Sequence, residues 1–238
     1  MDITDTIFFT HIPRTAGTSV RKGVITPHVS DDQVRRPRGL TNLLADWSSF
    51  RFMRGHYPYG MHKLATVRGA PRYFVMLREP VKRALSFYYN AKNACSETYE
   101  HPACANARSH DVLDFYKIPE YQNVQARVVA GLLPHRIGQY ISFNNWLKSL
   151  VYKRARRHLL HAYEAFGLTK RYEESAQLFA RKLGWTYQPN DKRYKQVPDR
   201  PTKDDLTSEQ ERTLRRLNAL DVLLYETACK HFDKQLGQ

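Results

Sequence analysis

The chain has 238 residues, with 42% hydrophobic and 26% charged side chains, an ordinary balance for a soluble globular protein able to bury a real core. Lys and Arg number 38 against 23 acids, a formal charge of +15; such an excess points to a polyanionic partner or to a merely solvated basic surface. No apolar run approaches the roughly 20 residues that a membrane span needs, which excludes a transmembrane segment.

The opening MDITDTIFF carries acids and enters a strand at once, so no signal peptide is expected. Thr6–Ile12 (TIFFTHI) is a β-branched and aromatic run that predicts a buried parallel strand. A helix is expected from Thr18, ending before Pro27, then a loop over His28–Gly39 and a short helix over Leu40–Trp47. SSFRFMRGHY alternates as a strand up to Gly55, and Arg72–Leu77 (RYFVML) is the least ambiguous strand. Pro80 stands where a helix favours its first residue, and Leu85, Tyr88 and Tyr89 continue with helical spacing. Cys95–Ser109 is polar and reads as an excursion from the core.

Helices are predicted over Asp111–Tyr116, Glu120–Gly131 and Phe143–His158, a strand over Ala162–Thr169, and a helix over Lys170–Gly184 closed by its glycine. Thr186–Asp205 is a long, basic, proline-punctuated loop, and a loop of that length more often has a function than not. Thr207 and Gln210 form a capping box, with Leu214, Leu217, Leu220 and Leu224 as the buried face of one closing helix. The three cysteines are sparse; a reduced chain is the default and a Cys95–Cys104 bridge the alternative, with Cys229 in the last helical pattern. Strands alternating with helices predict an α/β fold: a single domain over residues 1–238 with a central parallel sheet between two helical layers, P-loop-like and three-layered.

The chemistry concentrates in FFTHIPRTAGTSVRKGV. A strand, a glycine-containing turn and a helix start converge backbone N–H groups and the positive helix end on one spot, which suits an anion. Arg14 adds a full charge, Thr15, Thr18 and Ser19 add hydroxyls, and Gly17 permits close approach. A nucleotide kinase would place Lys and Ser/Thr at the helix start, and no strand here ends in a convincing magnesium-binding Asp, so metal-dependent phosphoryl transfer is disfavoured.

HIPRTAGTS resembles the 5′-phosphosulfate loop of sulfotransferases, usually Pro-Lys-Thr-Gly/Ala-Gly/Ser-Thr-Ser. VMLREPVKRALSFYY resembles their 3′-phosphate motif, a strand ending in Leu-Arg-Asp-Pro followed by a helical Arg-x-x-Ser-x-Tyr. RGHYPYG between them is similar to the Gly-His strand end of the carbohydrate branch, typified by heparan and dermatan uronyl 2-O-sulfotransferases. NVQARVVAG and AFGLTKRYEESAQLF also look like that branch. The resemblance implies 3′-phosphoadenosine 5′-phosphosulfate (PAPS) as sulfuryl donor and PAP as product, with no metal.

It further implies donor binding by Arg14, Thr15, Ala16, Gly17, Thr18 and Ser19 at the 5′ end. Arg78 and Ser86 would serve the 3′-phosphate, and Arg193 and Tyr194, beside Lys192, a lid. His56 would be the general base, with Arg14 meeting charge on the leaving phosphate. Arg54 and Tyr57 would contact the acceptor, a hydroxyl-bearing and possibly acidic glycan or glycoconjugate rather than nucleic acid.

Arg14 replaces the usual lysine, keeping the charge and gaining a two-oxygen grip; Glu79 replaces the usual Asp cap. Lys153, Arg154, Arg156 and Arg157 read as a solvated helix face. Animal members of the family that the chain resembles carry a Golgi anchor; without one, a soluble, bacterial-type, cytoplasmic enzyme or a trimmed catalytic domain is expected. The rival readings are an ATP-using P-loop kinase and a non-enzymatic polyanion-binding module on the same fold.

Overall fold

The computed structural model describes residues 5–35, 46–94, 103–132, 145–187, 189 and 201–237. Ile7–Thr10 (β1), Val34–Arg35 (β2), Phe52–Gly55 (β3), Arg72–Leu77 (β4) and Ala165–Leu168 (β5) form a five-stranded sheet in the order β2-β3-β1-β4-β5. Every pairing is parallel. β1 and β5 are buried along their whole length, and β4 at every residue after Arg72. Strands of that kind need cover on both faces, and helices supply it.

The helices are Gly17–Val20 (α1, continuing as a π-helix over Arg21–Ile25), Pro80–Asn93 (α2), Cys104–Ser109 (α3), Val112–Lys117 (α4) and Val124–Val129 (α5). Asn145–His161 (α6), Tyr172–Leu183 (α7), Ser208–Leu217 (α8) and Ala219–Leu236 (α9) follow. On one face of the sheet Phe74 meets Phe179 of α7 edge-on at 5.3 Å. Gly167 lets α7 come that close, because an added Cβ would lie 2.4 Å from Met76 Sδ and 2.6 Å from Ser175 Cβ. On the other face Phe8 stacks on Tyr73 at 4.7 Å, Tyr59 lies between Tyr73 and His158 of α6, and Phe166 meets Phe232 of α9. The result is a three-layer α/β/α arrangement.

A second apolar cluster forms where α2, α3, α4 and α8 meet, around Phe115, Tyr116 and Tyr121. Glu79 caps α2 by accepting from Lys82 N–H at 2.7 Å, and Pro80 takes the first helical position. Both bonds of the Thr207–Gln210 capping box are formed, and Gly184 closes α7 with φ 68°. Among the described residues no helix is long and apolar enough to cross a membrane.

Several expectations need correction. Val34–Arg35, inside the loop expected over His28–Gly39, is strand β2, and the helix expected over Glu120–Gly131 is a 3₁₀ turn over Pro119–Tyr121 and then α5, separated by Asn123 at φ 52°. The closing helix is two, α8 and α9, broken at Asn218; that buried side chain bonds Leu214 O and accepts from Asn123 N–H, which pulls the chain out of helical register. The end of the polar Cys95–Ser109 stretch is no excursion: Ala103, Cys104 and Ala107 are buried against α2, because small side chains permit close helix packing. Cys104 is disulfide-bonded rather than reduced, whereas Cys229 is free; Cys95 lies outside the described residues. Residues 40–45 of the short helix expected before Trp47, and most of the basic loop after Thr186, lie outside them as well.

Candidate functional site

The carboxyl ends of β1, β3 and β4 lie side by side, with Thr10 in register with Gly55 on one flank and Val75 on the other. From β1 the chain leaves towards β2 and β3, and from β4 towards β5, so the sheet order reverses between β1 and β4. Ligands of open α/β sheets bind at such a crevice.

The loop leaving β1 is tightly wound. Arg14 and Ala16 both adopt the left-handed region, with φ 69° and 63°. Non-glycine residues held there cost on the order of 1 kcal/mol or more each, and such strain gathers at ligand clamps. Thr15 is buried and donates its hydroxyl to Ile12 O at 2.9 Å, bracing the turn. Thr18 and Ser19 are half-buried in the first turn of α1.

Arg14 then joins this loop to α2. Its Nε donates to Ser86 Oγ at 2.9 Å and its Nη1 to Asn90 Oδ1 at 2.8 Å. Ser86 is fully buried beneath it. Ser86 and Asn90 are four residues apart, one helical turn, and so share a face of α2. Arg78, the first residue past β4, closes the unit by donating from Nη1 to Arg14 O at 3.0 Å.

The backbone of Arg78 is held in turn. Gln125 accepts from its N–H through Oε1 and donates to its carbonyl through Nε2, both at 2.9 Å. Gln125 and Ala126, at the start of α5, give their own N–H groups to the buried carboxylate of Asp221 on α9. The structure thus brings together Arg14, Arg78 and Ser86, which the sequence reading assigns to the two ends of one donor. It adds Asn90, Gln125 and Asp221, which sequence reasoning missed. Only Asn90 had a signal, its spacing from Ser86; the other two act across 47 and 96 residues of chain.

His56 follows the last residue of β3 and is exposed. Its Nδ1 lies 2.6 Å from His11 O. A carbonyl only accepts, so Nδ1 carries the proton and Nε2 holds the lone pair of the neutral ring. Arg54 and Tyr57 flank it. The Tyr57 hydroxyl donates to Arg54 O at 3.0 Å, and its ring fills the space where a Cβ on residue 55 would stand 2.0 Å away. Gly55 is therefore a packing requirement. Burial pushes the Tyr57 hydroxyl pKa up to about 12 against the pull of Arg35 and Arg54, so Tyr57 is a neutral donor near pH 7.

Arg193 and Tyr194 lie outside the described residues, with Lys192. Lys153, Arg154, Arg156 and Arg157 are all exposed on α6, as a solvated face would be. Among the described residues no three His, Cys, Asp or Glu side chains cluster so as to hold a metal ion.

Two guanidinium groups, two half-buried hydroxyls and a histidine with a fixed tautomer therefore converge on three strand ends. Such a set can hold an anion with charge in two places and accept a proton beside it. The chain matches no known protein-family model and no curated protein.

Proposed function

We propose that the protein transfers the sulfuryl group of PAPS to a hydroxyl of a carbohydrate acceptor. The observation that supports this most is the Arg78–Arg14–Ser86 chain of contacts. It joins the two segments that resemble the 5′-phosphosulfate loop and the 3′-phosphate motif into one unit, as a donor charged at both ends of its ribose requires.

Arg14, Thr18, Ser19 and the N–H groups of residues 15–19 would hold the 5′ end; the Thr15 hydroxyl, engaged with Ile12, leaves Thr15 its backbone donor. Arg78 would hold the 3′-phosphate, joined by Ser86 once Arg14, which covers its hydroxyl, turns to the donor, and Arg193 and Tyr194 would close over the donor. These residues suit the donor chemically: all are cations or neutral donors. PAPS supplies the sulfuryl group. Transfer forms a bond from the acceptor oxygen to sulfur and breaks the bond from sulfur to the 5′-phosphate oxygen, releasing PAP. His56 Nε2 takes the hydroxyl proton, and Arg14 offsets charge on the departing phosphate. Arg54 and Tyr57 stand beside His56, where an acidic acceptor would lie. A disulfide at Cys104 favours an oxidising compartment over the cytosol.

Thermal denaturation with PAP, and separately with ATP and Mg²⁺, tests the donor. PAP at a hundred times its Kd should stabilise the fold by about 2.7 kcal/mol. Stabilisation by ATP with Mg²⁺ alone would overturn the proposal in favour of a kinase. Polyanion binding that ignores the loss of Arg78 and Ser86 would favour a binding module. With labelled PAPS and a panel of glycans, peptides and lipids, His56→Ala should abolish transfer while keeping PAP affinity.

A further inference from the structure

The geometry points to His11 as a positioning residue that holds His56 in its working tautomer and ties it to the anion loop. The role of His56 as the base rests on the sulfuryl-transfer reading above; the placement of its ring by His11 does not.

His11, just past β1, grips the end of β3 at two points. Its N–H donates to Gly55 O at 3.0 Å, and its carbonyl accepts from His56 Nδ1 at 2.6 Å. Residue 56 is thus held on its preceding peptide and on its ring. The His11 ring also lies against the His56 ring, centroids 4.6 Å apart and planes 24° from parallel. Stacking at that distance helps to fix the plane of the imidazole, which a hydrogen bond at Nδ1 does not by itself define.

The His11 ring also meets the start of α1. A Cβ added to Gly17, the first residue of α1, would stand 2.1 Å from His11 Cδ2 and 2.3 Å from Nε2. The glycine of the loop therefore has a second reason to be there, beside any approach of a ligand. Residue 17 must be bare for the His11 ring to pack where it does, against both α1 and His56. Movement of the anion loop would be felt at the base through His11, by its ring and its carbonyl.

The test uses the full chain labelled with ¹⁵N-histidine. Long-range ¹H–¹⁵N correlation spectra report which ring nitrogen of His56 carries the proton. Wild type should show His56 with the proton on Nδ1; the opposite tautomer would overturn the proposal without any variant.

His11→Ala keeps the carbonyl and loses the ring, so the His56 ring should swing out of its plane, lose the Nδ1 bond to that carbonyl and relax to a mixture of tautomers. His11→Phe, which keeps a flat ring, should restore the wild-type pattern. An unchanged His56 pattern in folded His11→Ala would also overturn it. If His11→Ala fails to fold, the wild-type and His11→Phe spectra still decide. In transfer assays His11→Ala should lower kcat by about 100-fold, the loss that a displacement of about 1 Å brings to a catalytic group, with the KM for PAPS nearly unchanged. If wild type shows no transfer while the tautomers behave as described, the sulfuryl-transfer reading fails and the positioning of His56 by His11 stands.

Discussion

Arg14 does more than add charge to a turn. With a left-handed backbone, its side chain reaches Ser86 and Asn90 while its carbonyl takes a bond from Arg78. Lysine has one compact head and could not make the forked contact to two residues one helical turn apart. Ser86→Ala and Asn90→Ala should each cost about 1 kcal/mol, the usual worth of such a hydrogen bond. Because both bonds end on one guanidinium, the double variant should depart from additivity by at least about 0.5 kcal/mol. Urea unfolding of the two singles and the double measures this, and simple additivity would mean that Arg14 is not held as described. The sequence shows Arg14 because charge and hydroxyl types in a strand–turn–helix setting point to an anion, and it shows Arg78 and Ser86 through their resemblance to a 3′-phosphate motif. It hides the fact that Thr15 spends its hydroxyl on Ile12 and that Gly17 makes room for a histidine. Those are contacts of a folded turn, with no trace in residue type or spacing.

Among the elements, the connection from β3 to β4 is fastened to α6 by rings. Tyr59 packs against both Tyr73 and His158, and His62 shares a hydrogen bond with the Tyr73 hydroxyl through Nδ1 at 3.0 Å. Burial holds His62 and His158 below their ordinary value of 6.5; Lys63 presses on both, and Arg154 and Arg157 on His158. A histidine depressed in the folded state stabilises it fully above its unfolded pKa, and that stability is lost as pH falls through the folded value. Stability should therefore drop below about pH 6.5, with a slope of up to about 1.4 kcal/mol per pH unit for each ring. Urea unfolding at pH 7.5 and 5.5 reads the drop, and it should shrink in His62→Gln with His158→Gln; an unchanged drop would assign it to other groups. The elements themselves were largely legible. Runs such as RYFVML announce strands buried on both faces, and Thr207–Gln210 and Gly184 mark helix ends through local bonds. The break at Asn218 was not legible, because leucines continue at helical spacing on both sides and the side chain that interrupts them answers to Asn123, 95 residues away.

Across the molecule, Asp221 binds the two apolar clusters together. Its carboxylate takes the N–H groups that open α5 and stands 3.8 Å from Arg83 Nε of α2, both side chains being almost wholly buried. Burial pushes the Asp221 pKa up while Arg83, the two N–H groups and Arg127 pull it down. Asp221→Ala would take the facing carboxylate from the buried Arg83 guanidinium and the stronger of two acidic neighbours from Arg127, and should cost about 3–5 kcal/mol; Asp221→Asn, which keeps the shape, should cost less. Guanidinium unfolding tests both, and a loss under 1 kcal/mol for the alanine variant would remove Asp221 from this role. Through Gln125 the same carboxylate steadies Arg78, so damage there should reach the site as well as the core. The central strand, finally, sets a schedule for the folding chain. Ile7 pairs with Phe52 on one side and with Arg72 on the other, and neither partner can be met by a local turn. Closing loops of that length comes before any reward in contacts, so such a sheet assembles slowly for its size. Until residues 52–55 and 72–77 arrive, β1 is an apolar ribbon with both edges open, and that interval is when this protein is most exposed to aggregation.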